Sequence, residues 1–184
     1  SRMIRLFTAL ELPDSVAQGL SLIQAGVPGA RWQSREQLHL TLRFIGEVDG
    51  RDANAIDDAL SGIDATGFML TLKGVGEFGG KNPRALWAGV EPSPALTHLQ
   101  RKIESALQRA GLPAEPRKYT PHVTLARLRN TPPGAVMDYL ADHGLYASAP
   151  FAVGSFTLFS SVLSQNGSIY RQEQVYPLRE DNGA

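Results

Sequence analysis

The alternation of apolar and polar residues predicts strands and helices in an order that occurs twice along the chain. In the first half, the pattern predicts a strand at 4–11, a helix at 14–23, a strand that begins at His39, a helix at 49–63 and a strand at 68–78. In the second half, it predicts a strand at 85–90, a helix at 94–107, a strand that begins at His122, a short helix at 136–140, a strand at 151–159 and a hairpin at 164–170.

Two short segments of these patterns are almost identical. Residues 39–42 read His-Leu-Thr-Leu and residues 122–125 read His-Val-Thr-Leu, 83 positions later. Phe68 and Phe151 are separated by the same interval. This spacing and the repeated order of elements indicate an internal duplication with pseudo-twofold symmetry, in which the two motif strands face each other across a groove. We therefore predict an α+β fold with two pseudo-symmetric lobes of antiparallel sheet, flanked by helices, around a central cleft.

Each segment would present one imidazole and one hydroxyl to the same surface. Successive side chains of a strand alternate between its faces, so His39 and Thr41 point the same way, as do His122 and Thr124. Two imidazoles with an ordinary pKa of about 6.5 and two hydroxyls suit acid–base chemistry on a phosphate. A single histidine on a strand is more often a hydrogen-bonded structural residue, but two matched copies favour a catalytic role.

Composition predicts one domain with a sizeable core. The chain has 184 residues, of which 42% are hydrophobic and 20% are charged. We predict a single two-lobed domain at 3–179. Ser1 and Arg2 precede Met3 and are expected to be a vector-encoded remnant, and residues 180–184 are expected to form a flexible tail.

Charge and residue content exclude several classes of protein. Eighteen basic residues balance eighteen acidic ones, which argues against a protein that coats nucleic acid non-specifically. The absence of cysteine excludes disulfides, thiolate nucleophiles and cysteine-ligated metals, and no cluster of other metal ligands stands near either histidine. The chain carries no long apolar run and no signal-peptide pattern. We expect a cytoplasmic monomer that needs no metal, cofactor or membrane.

The chain resembles the two-histidine phosphoesterases and, among them, the 2′-5′ RNA ligase or RNA 2′,3′-cyclic phosphodiesterase group. A single His-x-Thr segment occurs easily by chance, whereas an ordered set over nearly the whole chain is specific. The segments that carry the resemblance are 5–7, 9–13, 30–32, 39–48, 74–78, 83–90, 119–122, 124–127 and 170–178.

The resemblance implies an enzyme that opens a 2′,3′-cyclic phosphate at an RNA 3′ end and leaves a 2′-phosphate, without a metal. It implies that His39 is the proton donor, that His122 is the proton acceptor, and that Thr41 and Thr124 donate hydrogen bonds to the phosphate. The residues alone do not decide which histidine is the acid. The expected partners are RNA with 2′,3′-cyclic phosphate ends or cyclic nucleotides.

Three further residues of these segments have expected roles. The resemblance implies that Arg127 binds the phosphate, although strict alternation from His122 puts Arg127 on the opposite face, so that this role requires a bulge. Tyr119 is a candidate for stacking on a base. Arg43 is in register with His39 and is expected to be a solvated charge at the rim of the cleft.

Other functions stay open at this point. The same histidines could join a 5′-hydroxyl to a cyclic phosphate, which is 2′-5′ ligation by the reverse reaction. A second hypothesis is a phosphodiesterase for another nucleotide, such as a cyclic phosphate of ADP-ribose or 2′-5′ oligoadenylate. A third is a non-catalytic module that binds RNA ends.

Overall fold

A computed structural model of the chain describes residues 3–181, and residues 1–2 and 182–184 lie outside this description. The predicted remnant at 1–2 and most of the predicted tail therefore fall outside it. The elements, in chain order, are β1 (Ile4–Glu11), α1 (Asp14–Ser21), β2 (Ala30–Trp32), β3 (His39–Val48), α2 (Gly50–Ser61), β4 (Phe68–Leu70), β5 (Leu72–Phe78), β6 (Ala85–Val90), α3 (Pro94–Arg109), β7 (Val123–Leu128), α4 (Pro133–His143), β8 (Phe151–Val153), β9 (Ser155–Ser164) and β10 (Gly167–Pro177). A short 3₁₀ turn, Arg35–Gln37, precedes β3.

The sheet is antiparallel and consists of two groups of strands that meet at a narrow junction. Its order is β10-β9-β1-β3-β7-β6-β5, and β2 pairs with β7. We call β10, β9, β1 and β3 the first lobe and β5, β6, β7 and β2 the second lobe. A single residue pair, Leu40 with Val123, joins β3 to β7. The predicted α+β fold with antiparallel sheet is confirmed.

Two pairings reflect the duplication seen in the sequence. Leu40 pairs with Val123, its equivalent 83 positions later. In the separate two-stranded sheet of β4 and β8, Met69 pairs with Ala152, which is also its equivalent. A residue that pairs antiparallel with its own equivalent lies on a twofold axis. The pseudo-twofold axis therefore passes through the junction of the two lobes and through the β4–β8 sheet.

Two predicted strands are wrong in the same way. The predicted strand at 68–78 is divided at Thr71 into β4 and β5, and the one at 151–159 is divided at Gly154 into β8 and β9. Leu70 and Leu72 on either side of the first break are both buried, so the apolar pattern continues while the backbone leaves one sheet for another. Periodicity reports which side chains are buried and does not report which strand receives the hydrogen bonds.

The halves of the sequence are not the lobes of the structure. β5 comes from the first half but pairs with β6 of the second, and β9 comes from the second half but pairs with β1 of the first. The interval of 83 residues is therefore the length of the repeat and not that of a lobe. This exchange of strands ties the two lobes together.

The aliphatic residues of both motifs belong to one hydrophobic core. Leu40, Leu42, Val123 and Leu125 are all buried there. The long helix α3 adds the apolar stripe expected from the sequence, at Leu96, Leu99, Ile103 and Leu107. The Ser93 hydroxyl accepts a hydrogen bond from the Leu96 backbone and caps this helix. Because the aliphatic side chains occupy the core face, the histidines and threonines between them face the opposite side of the sheet.

Candidate active site

The four motif residues converge where the two lobes meet. Leu40 is paired with Val123 in antiparallel register. His39 and Thr41 flank Leu40, and His122 and Thr124 flank Val123, so the two motifs lie side by side around this pair. All four side chains are half-buried. The arrangement thus brings two imidazoles and two hydroxyls together around the pseudo-twofold axis.

A β-bulge follows each motif threonine. In the pairing of β1 with β3, Ala9 pairs with Thr41 but Thr8 pairs with Arg43, which leaves Leu42 as the extra residue. In the pairing of β6 with β7, Trp87 pairs with Thr124 but Leu86 pairs with Ala126, which leaves Leu125 as the extra residue. Each bulge resets the alternation, so that the residue three positions after the threonine returns to the face that carries the motif histidines and threonines, which we call the cleft face.

The bulge in β7 brings Arg127 to the cleft face. Its neighbours Ala126 and Leu128 are buried in the core, whereas Arg127 is exposed. The bulge that a phosphate-binding role of Arg127 requires is therefore present in β7. In β3 the equivalent position is held by Phe44, whose side chain is 59% exposed.

The equivalent bulge in β3 makes the expectation for Arg43 wrong. Arg43 is buried, at 7% exposure, because the extra residue turns its side chain to the core face. Its Nε lies 2.6 Å from Oε1 of Glu104, and its Nη2 donates to the Pro113 carbonyl at 2.6 Å. Arg43 therefore ties β3 to helix α3 and to the loop that leads to the second motif.

Aromatic side chains surround His39. The imidazole stacks on Phe7 at 5.0 Å and on Phe159 at 5.8 Å between ring centroids, and the edge of Tyr170 approaches to 5.0 Å. Burial in these surroundings lowers the pKa of His39 to about 4. In the protein without substrate, His39 is therefore neutral near pH 7.

His122 has an aromatic neighbourhood of its own and a polar contact. Phe78 approaches the imidazole edge-on at 5.1 Å, and Trp87 lies at 6.0 Å. Nδ1 of His122 lies 2.7 Å from the carbonyl oxygen of Thr120. Because a carbonyl only accepts hydrogen bonds, Nδ1 carries the proton and Nε2 is the nitrogen left to take up another. This tautomer suits a proton acceptor.

Gly76 makes room for the tryptophan beside His122. A Cβ atom at Gly76 would lie 2.2 Å from two ring carbons of Trp87, which is far inside van der Waals contact. The indole therefore crosses β5 over a residue that has no side chain. Its Nε1 is buried and has no hydrogen-bond partner among residues 3–181.

Tyr119 links the segment that precedes the second motif to β3, the strand that carries the first motif. Its hydroxyl donates a hydrogen bond to the Thr41 carbonyl at 2.9 Å, and its ring packs against the core. Burial raises the pKa of the phenol above its ordinary value. The observed contact is that of a positioning residue, and stacking of Tyr119 on a base stays a prediction.

Sequence reasoning missed the aromatic residues around the two histidines. They stand in the predicted strands and hairpin, but a local pattern of residues does not show which strands become neighbours in the sheet. The residues are Phe7, Phe78, Trp87, Phe159 and Tyr170. Within residues 3–181, histidine, aspartate and glutamate side chains form no group of three or more that could hold a metal ion.

Comparison with known proteins adds three findings. The family model of the 2′-5′ RNA ligase superfamily matches residues 12–163. The RNA 2′,3′-cyclic phosphodiesterase of Thermotoga maritima is 33% identical over 178 residues, which cover 91% of this chain and 92% of that protein. That of Archaeoglobus fulgidus is 29% identical over 177 residues and covers 94% and 99%. The crystal structure of Escherichia coli LigT in apo form superimposes with a TM-score of 0.78 at 27% identity and covers 97% and 99%.

Proposed function

Because the chain belongs to the 2′-5′ RNA ligase superfamily, we propose that it is an RNA 2′,3′-cyclic phosphodiesterase that acts without a metal. The observation that carries the proposal is the pairing of Leu40 with Val123 at the junction, which brings the His39–Thr41 and His122–Thr124 segments side by side. A phosphate on the pseudo-twofold axis would meet one imidazole and one hydroxyl from each lobe. In-line displacement at phosphorus requires a base on one side and an acid on the other.

The proposed reaction assigns a separate task to each residue. Nε2 of His122 takes a proton from water, whose oxygen forms a bond to phosphorus. The bond from phosphorus to the ribose 3′ oxygen breaks, and His39 protonates that oxygen, which leaves a 2′-phosphate. The hydroxyls of Thr41 and Thr124 donate hydrogen bonds to the non-bridging oxygens, where negative charge accumulates.

Phosphorus NMR of 2′,3′-cyclic nucleotide turnover tests this function directly. With excess EDTA present, we expect the cyclic phosphate resonance to be replaced by that of a 2′-phosphate monoester. No turnover, or turnover that EDTA abolishes, would overturn the proposal. Binding without turnover would identify the module that only binds RNA ends. Faster turnover of a cyclic phosphate of ADP-ribose or of 2′-5′ oligoadenylate would identify the other nucleotide substrates.

The pH dependence tests His39 as the proton donor. The donor must be protonated, yet burial holds the pKa of His39 at about 4 without substrate. A phosphate anion beside the ring stabilises the imidazolium and raises this pKa. Because kcat reports the complex and kcat/KM the free protein, we expect the limb that His39 sets to lie at higher pH in the profile of kcat than in that of kcat/KM. Profiles of kcat and kcat/KM that coincide on both limbs, measured with 2′,3′-cyclic CMP, would contradict this expectation.

The organisation of the chain follows from the same proposal. We propose that residues 3–179 act as one catalytic domain and as a monomer, in the cytoplasm, on RNA ends that carry a 2′,3′-cyclic phosphate. Among the helices of residues 3–181, none combines the length and the apolar composition of a membrane span. The same histidines could also catalyse the reverse joining of a 5′-hydroxyl end.

A further inference from the structure

A glutamine side chain contacts the extra residue of each β-bulge. Nε2 of Gln24 donates to the Leu125 carbonyl at 3.0 Å, and Nε2 of Gln100 donates to the Leu42 carbonyl at 3.4 Å. The extra residue of a bulge is left out of the regular ladder, so its backbone groups need other partners. Both leucines are buried, so bulk water does not reach them. The glutamine amides therefore satisfy carbonyls that the bulges would otherwise leave short of donors.

The two contacts are alike, but the glutamines are not equivalent in the repeat. Gln24 follows the end of helix α1, whereas Gln100 lies within helix α3. The interval of 83 residues sets Leu107, and not Gln100, in the place of Gln24. The same contact is thus built from different positions of the helices, and what the two lobes share is the need of the bulge for a donor.

Gln24 fills the point at which β7 changes its partner strand. On this side, β7 pairs with β3 at a single residue and with β2 over residues 126–128. Nε2 of Gln24 donates to the Gln33 carbonyl at 2.9 Å as well as to Leu125, and the Gln33 backbone N–H donates to the same Leu125 carbonyl at 2.9 Å. One side-chain amide therefore ties the residue after β2 to the bulge of β7.

The backbone around Gln24 is held by two helices. Its N–H donates to the Ser21 carbonyl of α1 at 3.2 Å, and the Tyr139 hydroxyl of α4 donates to the carbonyl of the neighbouring Ile23 at 2.6 Å. An amide nitrogen carries two hydrogens, and that of Gln24 has two acceptors. The side chain is half-buried and is restrained in one position.

The bulge that Gln24 contacts decides where Arg127 points. Without an extra residue at Leu125, strict alternation would return Arg127 to the core face. With the bulge, Arg127 is exposed on the cleft face, on the strand that carries the second motif. A residue that holds the bulge therefore also holds the direction of this guanidinium group.

We propose that Gln24 is a positioning residue, which holds the bulge in β7 and so keeps Arg127 directed at the reacting phosphate. The proposal rests on the proposed function and on the phosphate-binding role expected of Arg127. Gln24 acts through the backbone of Leu125 and does not itself bind the phosphate.

A double-mutant cycle tests whether Gln24 acts through Arg127. Gln24→Met keeps the length of the side chain and removes both donors. We expect kcat/KM towards 2′,3′-cyclic CMP to fall about tenfold, because a displaced guanidinium loses part of its contact with the phosphate. Arg127→Met should cost about 10²-fold, and in this background Gln24→Met should change kcat/KM by less than about twofold. Gln18→Met, the same change at an exposed residue of α1, should leave kcat/KM within about twofold of the unaltered protein.

Nitrogen-15 NMR of the Arg127 Nε–H group gives a readout that needs no turnover. Adenosine 2′-phosphate should shift this resonance in the unaltered protein, and the shift should be less than about half as large in Gln24→Met. Gln24→Glu is the second variant if Gln24→Met does not fold. It keeps the shape of the side chain, and because an ionised carboxylate cannot donate, it should lose at least as much activity.

The outcomes separate the positioning role from the reaction itself. Losses that multiply in the double variant, or an Arg127 shift that Gln24→Met leaves unchanged, would overturn the positioning role. Absence of any shift in the unaltered protein would overturn it as well, since Arg127 would then not meet the phosphate. If the unaltered protein fails to open 2′,3′-cyclic CMP but shows the shift, the proposed function is wrong and the comparison of shifts still decides the role of Gln24.

Discussion

Replacing either His39 or His122 by alanine is expected to lower kcat/KM towards 2′,3′-cyclic CMP by about 10²-fold or more, since each change removes one of the two groups that transfer protons. The two losses should not multiply in the double variant. Acid and base act in one step, and after the loss of one group the other has little left to contribute.

The surroundings of the two histidines dictate the controls. His39 packs against Phe7 and Phe159, so that alanine there also leaves a void. His39→Phe keeps an aromatic ring in this place but removes the ring nitrogens, and it should be as inactive as His39→Ala. His98→Ala alters an exposed histidine of helix α3 and should retain full activity. Activity within about threefold of the unaltered protein in His39→Phe or in a folded His122→Ala would exclude the paired-histidine mechanism.

Replacing Arg43 by methionine is expected to lower the free energy of unfolding by about 3 kcal/mol. The substitution keeps most of the length of the side chain but removes the guanidinium that pairs with the Glu104 carboxylate and donates to the Pro113 carbonyl. Glu104 keeps only its hydrogen bonds from Gln108 and from the Glu115 backbone. The side chains of Arg43 and Glu104 are only 6% and 18% exposed, so water replaces the lost contacts poorly. Urea denaturation followed by circular dichroism measures the change.

A second substitution and the pH dependence separate the ion pair from simple packing. Glu104→Gln combined with Arg43→Met removes the unpaired charge and should recover part of the lost stability. Hydrogen bonds from Arg43 first, and then from Gln108 and the Glu115 backbone, lower the pKa of Glu104 to about 2. The stabilisation is therefore fully present above about pH 4.5 and is lost as the pH falls towards 2. A loss below about 1 kcal/mol in Arg43→Met, or a loss that does not change with pH, would show that this pair contributes little.

The bulges show where prediction from the sequence reaches its limit. Alternation from His39 predicts Arg43 at the rim, and alternation from His122 predicts Arg127 on the core face. Both expectations fail for one reason, since Leu42 and Leu125 are extra residues relative to the partner strands. A bulge depends on the register of a neighbouring strand that is distant in the sequence. The only hint in the sequence was that a phosphate-binding Arg127 required one.

The apolar pattern and the two matched motifs were enough to predict most of the strands, the common face of each histidine and threonine, the antiparallel α+β class and the duplication, because side-chain alternation and apolar spacing are local properties of the backbone. Pairing between distant strands decided the topology of the sheet and the geometry of the site. It exchanged strands between the halves, paired Leu40 with Val123 so that the two motifs meet, buried His39 among aromatic rings and so lowered its pKa, buried Arg43 and turned Arg127 to the cleft face. These features depend on which strands become neighbours and in which register, and no local pattern of residues carries that information.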